Sequence, residues 1–472
     1  SPQPPPSRAC RRTPRAYCCG MSSADRTAEK RIDFISAPRA CALLQRHGMS
    51  AVNDAGPPPP PRRGVELVVK LGGAAITHKD SAVESLDEPA LRSVAETIAT
   101  AIEELRDAEG RPPKVIVVHG AGSFGHQHAK AYGVARGGAG ALHELAPEDD
   151  VTKRLRLGFA KTRNAVCRLN SLVVSALVDA GVNAVGVSPF GAWSTRGGGK
   201  TLNVETSPNA MAVAIKTIDA GLVPVLHGDA VFDVDTDVAI LSGDVVVREL
   251  CAFFKPKRAV FVTDVPGIFD KPPPKPARAR LGVANEEGLP VHTKKKRLSV
   301  EDETKKLTLI REVRVDEKSK EETAANDAED VSWRASRVAE GVTVTDDGGV
   351  AFADAATLFT SPATVFTSAD VELPTSSAVD VTGGIAGKMR EAASVARLGV
   401  DVYVSSRLPD GAAAAIRGRV ARDALEVVPD ENDDENDAAR ERVTKTTKKK
   451  RPWMGTLVRG VESRRRSKSR RS

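Results

Sequence analysis

Lysines, histidines and aspartates in this chain recur beside glycine pairs, an arrangement suited to holding anionic oxygen. The run Val115-Ile-Val-Val-His119 ends in Gly120-Ala-Gly-Ser-Phe-Gly125-His126, and a helix-like segment, Gln127 to Tyr132, follows. A strand, a glycine turn and a helix start let backbone N–H groups approach a phosphate closely. Lys70 closes the strand-like run Val65–Leu71 beside Gly72-Gly73, so an ammonium and the free amides of a turn would face the same oxygens. That pairing suits a phosphoryl group in transfer, where developing charge must be offset at close range. Lys79, nine residues on, could reach the same phosphates from a loop. Lys388 follows Gly383-Gly384 at a helix start and could point at a phosphate held there. Asp229, Asp244 and Asp264 each close a strand-like run or open a helix. Each could act as a helix cap, orient Lys70 or Lys388, or help to hold Mg²⁺.

Two familiar phosphate-binding patterns do not fit. No Gly-x-x-x-x-Gly-Lys-Ser/Thr sequence occurs; Gly199-Lys200-Thr201 copies only its end. Gly120-x-Gly122-x-x-Gly125 matches the dinucleotide fingerprint formally, but that reading needs an acidic residue closing the next strand. Glu144, at about the right distance, lies in a loop flanked by Gly, Ala and Pro. His126 directly after the last glycine is also foreign to that motif, and it could bind an anion through its ring N–H.

The elements that would position these residues alternate. Strand-like runs at 65–71, 115–119, 184–187, 223–226, 259–263, 400–404 and 455–458 are separated by helical periodicities at 88–105, 151–180, 205–220, 244–251 and up to 398. Asp87 is the expected N-cap of the first of these. Strands alternating with helices, each strand ending in Gly, Asp or His, predict an α/β fold with a mostly parallel sheet. In such sheets ligands lie beyond the carboxyl ends of the strands, where these polar residues collect.

Composition sets the outer limits. Residues 1–63 read as a disordered extension ending in the Pro57–Pro61 spacer, and 461–472 as a basic tail. Low-complexity insertions are expected at about 271–375, with a hairpin near Arg311 to Val315, and at 421–451. The ordered remainder, 64–460, reads as one domain. The net charge of +7 is concentrated at the termini and in one internal stretch, which suits solvated tails rather than a nucleic-acid-binding surface. Of the six cysteines, four lie before residue 42 and no Cys-x-x-Cys occurs, so a reducing compartment fits better than a disulfide or zinc framework. No residue is assigned as a metal ligand. No apolar run is long enough to span a bilayer. A cytoplasmic location is expected, with organelle addressing by the Arg- and Ser-containing first 60 residues left open.

Taken in order, these motifs resemble the amino acid kinase superfamily and, within it, the isopentenyl phosphate kinase branch. The resemblance is carried by Lys70-Leu-Gly-Gly with Lys79, His119 to His126, Pro224 to Asp229, Leu241-Ser-Gly-Asp244, Val262 to Ile268, Asp380 to Ile385 with Lys388, and Gly455-Thr. It implies a three-layer α/β/α sandwich, a homodimer, and transfer of the ATP γ-phosphate to isopentenyl phosphate, with dimethylallyl phosphate as a second acceptor. It places His126 on the acceptor phosphate, with Gly120 and the amides of Ala121 and Gly125 beside it and Gly228 facing the substrate. Lys70 and Lys79 would stabilise the transferring group, and Asp244 would organise the lysines. Gly72, Gly73, Ala74, Thr263, Asp264, Gly267, Gly384 and Lys388 would surround ATP. Ala74 and Ala121 stand where the family often has Ser and Gly, and Ser405-Ser406 replaces an Asn-Gly pair. Another superfamily activity, on a carboxylate, phosphonate or nucleoside monophosphate, is the alternative.

Overall fold

A computed structural model describes residues 64–78, 81, 84–138, 148–269, 307–315, 333–344, 350–352, 384–407, 409–421, 425–427 and 451–459. Lys79 and the loop 380–383 lie outside them. In chain order the elements that build the site are β1 (Leu67–Leu71), α1 (Gly73–Ile76), α2 (Glu88–Glu104), β2 (Val115–His119), α3 (Gly122–Tyr132), α4 (Asp150–Asp179), β3 (Ala184–Gly186) and α5 (Ala212–Asp219). They continue with β4 (Val223–His227), β5 (Asp229–Asp233), β6 (Asp237–Leu241), α6 (Gly243–Phe254), β7 (Arg258–Thr263), β8 (Leu307–Val315), β9 (Trp333–Val344) and β10 (Val350–Phe352). The last are α7 (Gly384–Arg397), β11 (Asp401–Ser406), α8 (Pro409–Arg417) and β12 (Gly455–Arg459).

The main sheet runs β10-β9-β8-β12-β11-β7-β1-β2-β4-β3, with Ile268–Phe269 pairing β8 off that path. From β3 to β11 every neighbour is parallel, as the alternation of strands and helices predicts. Side-chain alternation then sorts the two faces. Leu67, Val69 and Leu71 join the core under α2, α4 and α8. Val68 joins the opposite core under α6 and α7, and Lys70, two residues on, points the same way. The sheet is thus sandwiched between two helical layers, the three-layer α/β/α architecture.

Local signals account for most boundaries. Asp87 accepts from the Ala90 amide at 3.3 Å and caps α2, and Asp149 caps α4 by accepting from Thr152 at 2.7 Å. Two helices differ from expectation. The helix expected over 205–220 begins only at Ala212, because Ser207 ties its hydroxyl to Ser194, accepting from the Ser194 amide at 2.7 Å and donating to its carbonyl at 3.2 Å. Helix α3 starts at Gly122, not Gln127, so most of the expected glycine loop is already helical.

The expected insertion 271–375 contains β8 and β9, which extend the main sheet. β8 pairs parallel to β12 and antiparallel to β9. Its middle is charged, yet Arg311 is fully buried, donating to the carbonyls of Gly455 and Leu425 at 3.2 Å each. In the second expected insertion, Glu426–Val427 bridges Val420–Ala421 and Arg451–Pro452. No helix among the described residues is long and apolar enough to cross a membrane.

Candidate active site

The glycine turns converge because only glycine permits the spacing. A Cβ on Gly73 would sit 2.5 Å from the Gly122 nitrogen, and one on Gly120 would sit 2.9 Å from the Gly73 nitrogen. Gly122 also has φ +53°, a left-handed backbone that side chains resist. On the next strand, a Cβ on Gly228 would meet the Gly243 nitrogen at 3.0 Å, and one on Gly243 the His119 carbonyl at 3.1 Å. The turns after β1, β2 and β4 and the start of α6 therefore meet backbone to backbone at the carboxyl edge of the sheet.

This contact sets the charged residues. Ser242 caps α6, accepting from Val245 at 3.1 Å, which places Asp244 in the first turn, against Lys70. Lys70 is about 11% exposed, forms an ion pair with Asp244, lies 3.6 Å from Glu391 Oε2 and stands over the Phe261 ring. Burial pulls the Lys70 pKa down, but Asp244 and Glu391 outweigh it and hold the ammonium above its ordinary value. Asp244 is lowered: burial works against the carboxylate, and Lys70 more than compensates. Lys388 and Glu391 lie one turn apart on α7, and Lys388 pairs with Asp264 at 3.0 Å. Lys70, Asp244, Asp264 and Lys388 thus come together as expected, and Glu391 joins them.

The other expected residues divide into those that shape the site and those that face it. Gly72 donates its amide to Val262 at 2.8 Å, so it is not one of the free amides the sequence suggested. Gly73 and Ala74 lead the one-turn helix α1, whose Thr77 returns a hydroxyl to the Gly73 carbonyl at 2.8 Å and accepts from the Ser123 amide at 3.1 Å. The Gly125 amide is bonded to the Ala121 carbonyl at 3.3 Å, because α3 has already begun. Gly125 is needed for packing instead, since a Cβ there would meet Val166 and Ala121 within 2.8 Å. Thr263 donates its hydroxyl to the Val265 carbonyl at 2.7 Å, bending the turn that carries Asp264. Gly267 lets that turn rest on Thr456, whose oxygen would lie 2.8 Å from a Cβ. Gly384 opens α7.

His126 lies one turn into α3 and is half-buried. Its neighbours Gln127 and His128 bond to the Ser81 carbonyl and to Glu84, at 3.1 Å each. Ala129, one turn further along the same face, belongs to a small apolar cluster separate from the two main cores, with Leu155, Phe159, Val134, Ala230 and Val238. Phe190 and Phe232 complete it, their rings 5.3–5.9 Å from one another and from Phe159. The histidine and the glycine turn therefore sit beside an apolar cluster.

Sequence reasoning gave no role to four polar residues clustered under this edge: His119, Asn170, His227 and Arg163. Strand register places His119 beside His227, with rings stacked at 5.6 Å. Asn170 donates to His119 Nε2 at 3.1 Å and to the Val225 carbonyl at 3.2 Å. The Arg163 guanidinium stands over the Phe190 ring, 3.8 Å from its centre, and 3.5 Å from Asp229. Burial raises the Asp229 carboxyl to about 6 against the pull of Arg163. Only the period-2 alternation of β2 and β4 could have indicated these inward-facing polar ends.

The carboxylates beside Lys70 and Lys388 do not form a Mg²⁺ cage. Asp244 and Asp264 each face a lysine ammonium. The one acidic, Cys and His grouping close enough to hold an ion among the described residues, Cys167, His227 and Asp229, lies in the buried cluster, where Arg163 already supplies the positive charge.

Comparison with known proteins supplies the remaining observations. Residues 66–282 match the amino acid kinase family model. The chain is similar to isopentenyl phosphate kinase of Arabidopsis thaliana, 29% identical over 426 residues, covering 84% of this chain and 96% of that one. It is 34% identical over 217 residues to isopentenyl phosphate kinase of Methanothermobacter thermautotrophicus, covering 46% of this chain and 73% of that one. A solved isopentenyl phosphate kinase structure aligns over 83% of this chain and 99% of its own, at 21% identity and a TM-score of 0.46.

Proposed function

Because this chain belongs to the isopentenyl phosphate kinase family of the amino acid kinase superfamily, we propose that it transfers the γ-phosphoryl group of ATP to isopentenyl phosphate. The products are isopentenyl diphosphate and ADP. An oxygen of the acceptor phosphate attacks the γ-phosphorus in line, and the bond from that phosphorus to the β,γ-bridging oxygen breaks. A phosphate oxygen is already nucleophilic, so no general base is needed and catalysis rests on positioning and charge stabilisation.

Each site residue takes a part consistent with its place. Lys70, aimed by Asp244, stabilises charge on the transferring group, and Lys79 is assigned beside it from sequence. Lys388, Gly73, Ala74, Gly384 and the turn Thr263–Gly267 surround the nucleotide, with Gly72 shaping that wall from behind. Gly120 and Ala121 form the acceptor turn, with Gly228 beside it on the next strand and Gly125 packing the helix that follows. The observation that carries the acceptor assignment is His126 one helical turn from Ala129 and the Phe159–Phe190–Phe232 cluster. A ring N–H for a phosphate, beside an apolar wall for a short prenyl chain, suits isopentenyl or dimethylallyl phosphate better than a carboxylate. Mg²⁺ would enter on the triphosphate, and no step here depends on it. Exposed Leu172 and Val178 on α4 and Val185 on the edge strand β3 support a homodimer formed through that side, and a cytoplasmic location is retained as the working assignment.

An assay of ATP consumption with isopentenyl phosphate, dimethylallyl phosphate, glutamate and uridine monophosphate tests the assignment; turnover with glutamate or uridine monophosphate alone would overturn it. His126→Ala should lower turnover of isopentenyl phosphate by about 10²–10³-fold while leaving ATP affinity within twofold. Undiminished turnover in that variant would remove His126 from the acceptor site.

A further inference from the structure

A one-turn helix has too few internal hydrogen bonds to hold its own position. Helix α1, which carries Gly73 and Ala74 along the nucleotide wall, must therefore be held from outside, and its carbonyls show how. The Gly73 carbonyl accepts from the Thr77 amide at 2.9 Å and from the Thr77 hydroxyl at 2.8 Å. The Ile76 carbonyl accepts from the Asp87 amide at 2.9 Å. The Ala75 carbonyl accepts from Arg407 Nη1 at 3.1 Å. Arg407 comes from the far end of the chain, directly after Ser406, the last residue of β11. The same Nη1 pairs with Asp87 Oδ2, while the other oxygen of that carboxylate caps α2. The Arg407 backbone amide donates to the Thr263 carbonyl at 2.9 Å, at the start of the turn that carries Asp264.

We propose that Arg407 is a positioning residue for the nucleotide: a clamp that sets the separation between the Gly73–Ala74 wall and the Thr263–Gly267 turn. Its main chain holds one wall and its side chain the other, so the two cannot part without breaking a hydrogen bond. Asp87 aims the clamp. Its carboxylate is kept in place by the α2 cap, and it directs the guanidinium at the Ala75 carbonyl. The Asp87 side chain is about 14% exposed, so water replaces Arg407 poorly as a partner for that charge. A guanidinium suits the position because its planar fork donates to two acceptors at once from a fixed stem. A cation against the last carbonyls of a helix is also favourable in itself. Arg407 acts through the two walls in this account, not on the reacting atoms.

The proposal rests on the nucleotide lying between those walls, and the measurements separate the two readings. Arg407→Met keeps the aliphatic stem and removes the donors. It should raise KM for ATP about 10- to 30-fold, with KM for isopentenyl phosphate within about twofold of wild type. Arg407→Lys, which keeps a cation beside Asp87 but not the fork, should fall between, at about threefold above wild type. An unchanged KM for ATP in the Met variant overturns the proposal. So does an equal rise in both KM values, which marks a general loss of structure. Asp87→Asn keeps an oxygen to cap α2 and loosens the guanidinium, so it should raise KM for ATP about threefold. No rise there sinks the proposal even if the Met variant does not fold. Calorimetric titration of the full-length chain with ADP takes the acceptor out of the question, and Arg407→Met should weaken ADP about tenfold. Unchanged ADP affinity refutes the clamp whatever the acceptor is. Weakened ADP affinity in a protein inactive on isopentenyl phosphate upholds the clamp and refutes only the acceptor assignment. A wild-type chain that binds no ADP refutes the nucleotide reading and the clamp together.

Discussion

His119 and His227 end adjacent strands with their rings stacked and out of water. Each Nδ1–H donates to the carbonyl of the following glycine at 3.0 Å, so the Nε2 of His119 is left to accept from Asn170. Burial, then the neighbouring His227, lowers His119 to about 3; burial, then Arg163, lowers His227 to about 4. An unfolded histidine titrates near ~6.5, so below that pH the unfolded chain takes up protons that the folded one refuses. Stability should therefore be complete above pH ~6.5 and fall as pH drops toward ~4. Asp229 opposes this. Raised to about 6, it holds a proton in the folded state between pH ~4 and ~6 and favours folding toward acid. Two histidines against one aspartate leave a net loss on acidification. His119→Gln, which can still accept from Asn170, should reduce the slope of unfolding free energy between pH ~4 and ~6 by about 1.4 kcal/mol per pH unit. Urea unfolding across that range measures it, and an unchanged slope would place the His119 proton elsewhere. At this scale the sequence marks Lys70, Asp244, Asp264 and Lys388 because each adjoins a glycine turn or closes a strand. Glu391 escapes notice because Lys388-Met-Arg-Glu391 reads as an ordinary charged helix surface until α6 is packed against it.

At the scale of elements, the glycines act as spacers between strand ends. Gly73 and Gly122 touch through backbone atoms, and a side chain at 73 has only main chain to push against. Gly73→Ala should cost about 1–3 kcal/mol of stability through overpacking and lower kcat/KM, since Lys70 and the acceptor turn are displaced together. Gly64→Ala, where nothing lies within 4 Å, should change neither; equal effects in urea unfolding would show that the glycine contact is not what holds the turns. The strands were legible because β-branched runs ending in Gly, Asp or His are strong signals, and α2 because Asp87 caps it. The start of α3 was not. Gly122 and Gly125 read as loop residues, whereas they lie in α3 and are glycine because Thr77, Val166 and Ala121 leave no room for a Cβ.

For the whole molecule, the instructive segment is β8. Its Arg311-Glu-Val-Arg314 sequence suggests a hairpin within an insertion, and nothing nearby in the chain indicates that it enters the main sheet. Its burial depends on acceptors more than 100 residues away, the carbonyls of Leu425 and Gly455, which no local pattern can announce. Arg311→Met keeps the apolar stem but leaves both carbonyls unpaired, and should cost about 2 kcal/mol or more as read from the denaturant midpoint; a neutral outcome would mean that those carbonyls find other donors. By contrast, removal of residues 464–472 should leave turnover unchanged, because no assigned site residue lies there, and a large loss would assign the basic tail a part in catalysis.

Strand β12, the last among the described residues, lies between β8 and β11 in the sheet. Its Thr456 accepts from the Ile268 amide at 2.9 Å and underlies Gly267, so it seats the turn that carries Asp264. During synthesis, β8 and β11 are made before β12, their shared neighbour, and wait with an unpaired edge, the condition in which strands associate with other chains. The nucleotide-side turn gains its floor only when residues 455–459 arrive. Chains truncated before residue 455 should therefore be inactive and prone to aggregate, because the site is complete only once residues 455–459 are in place.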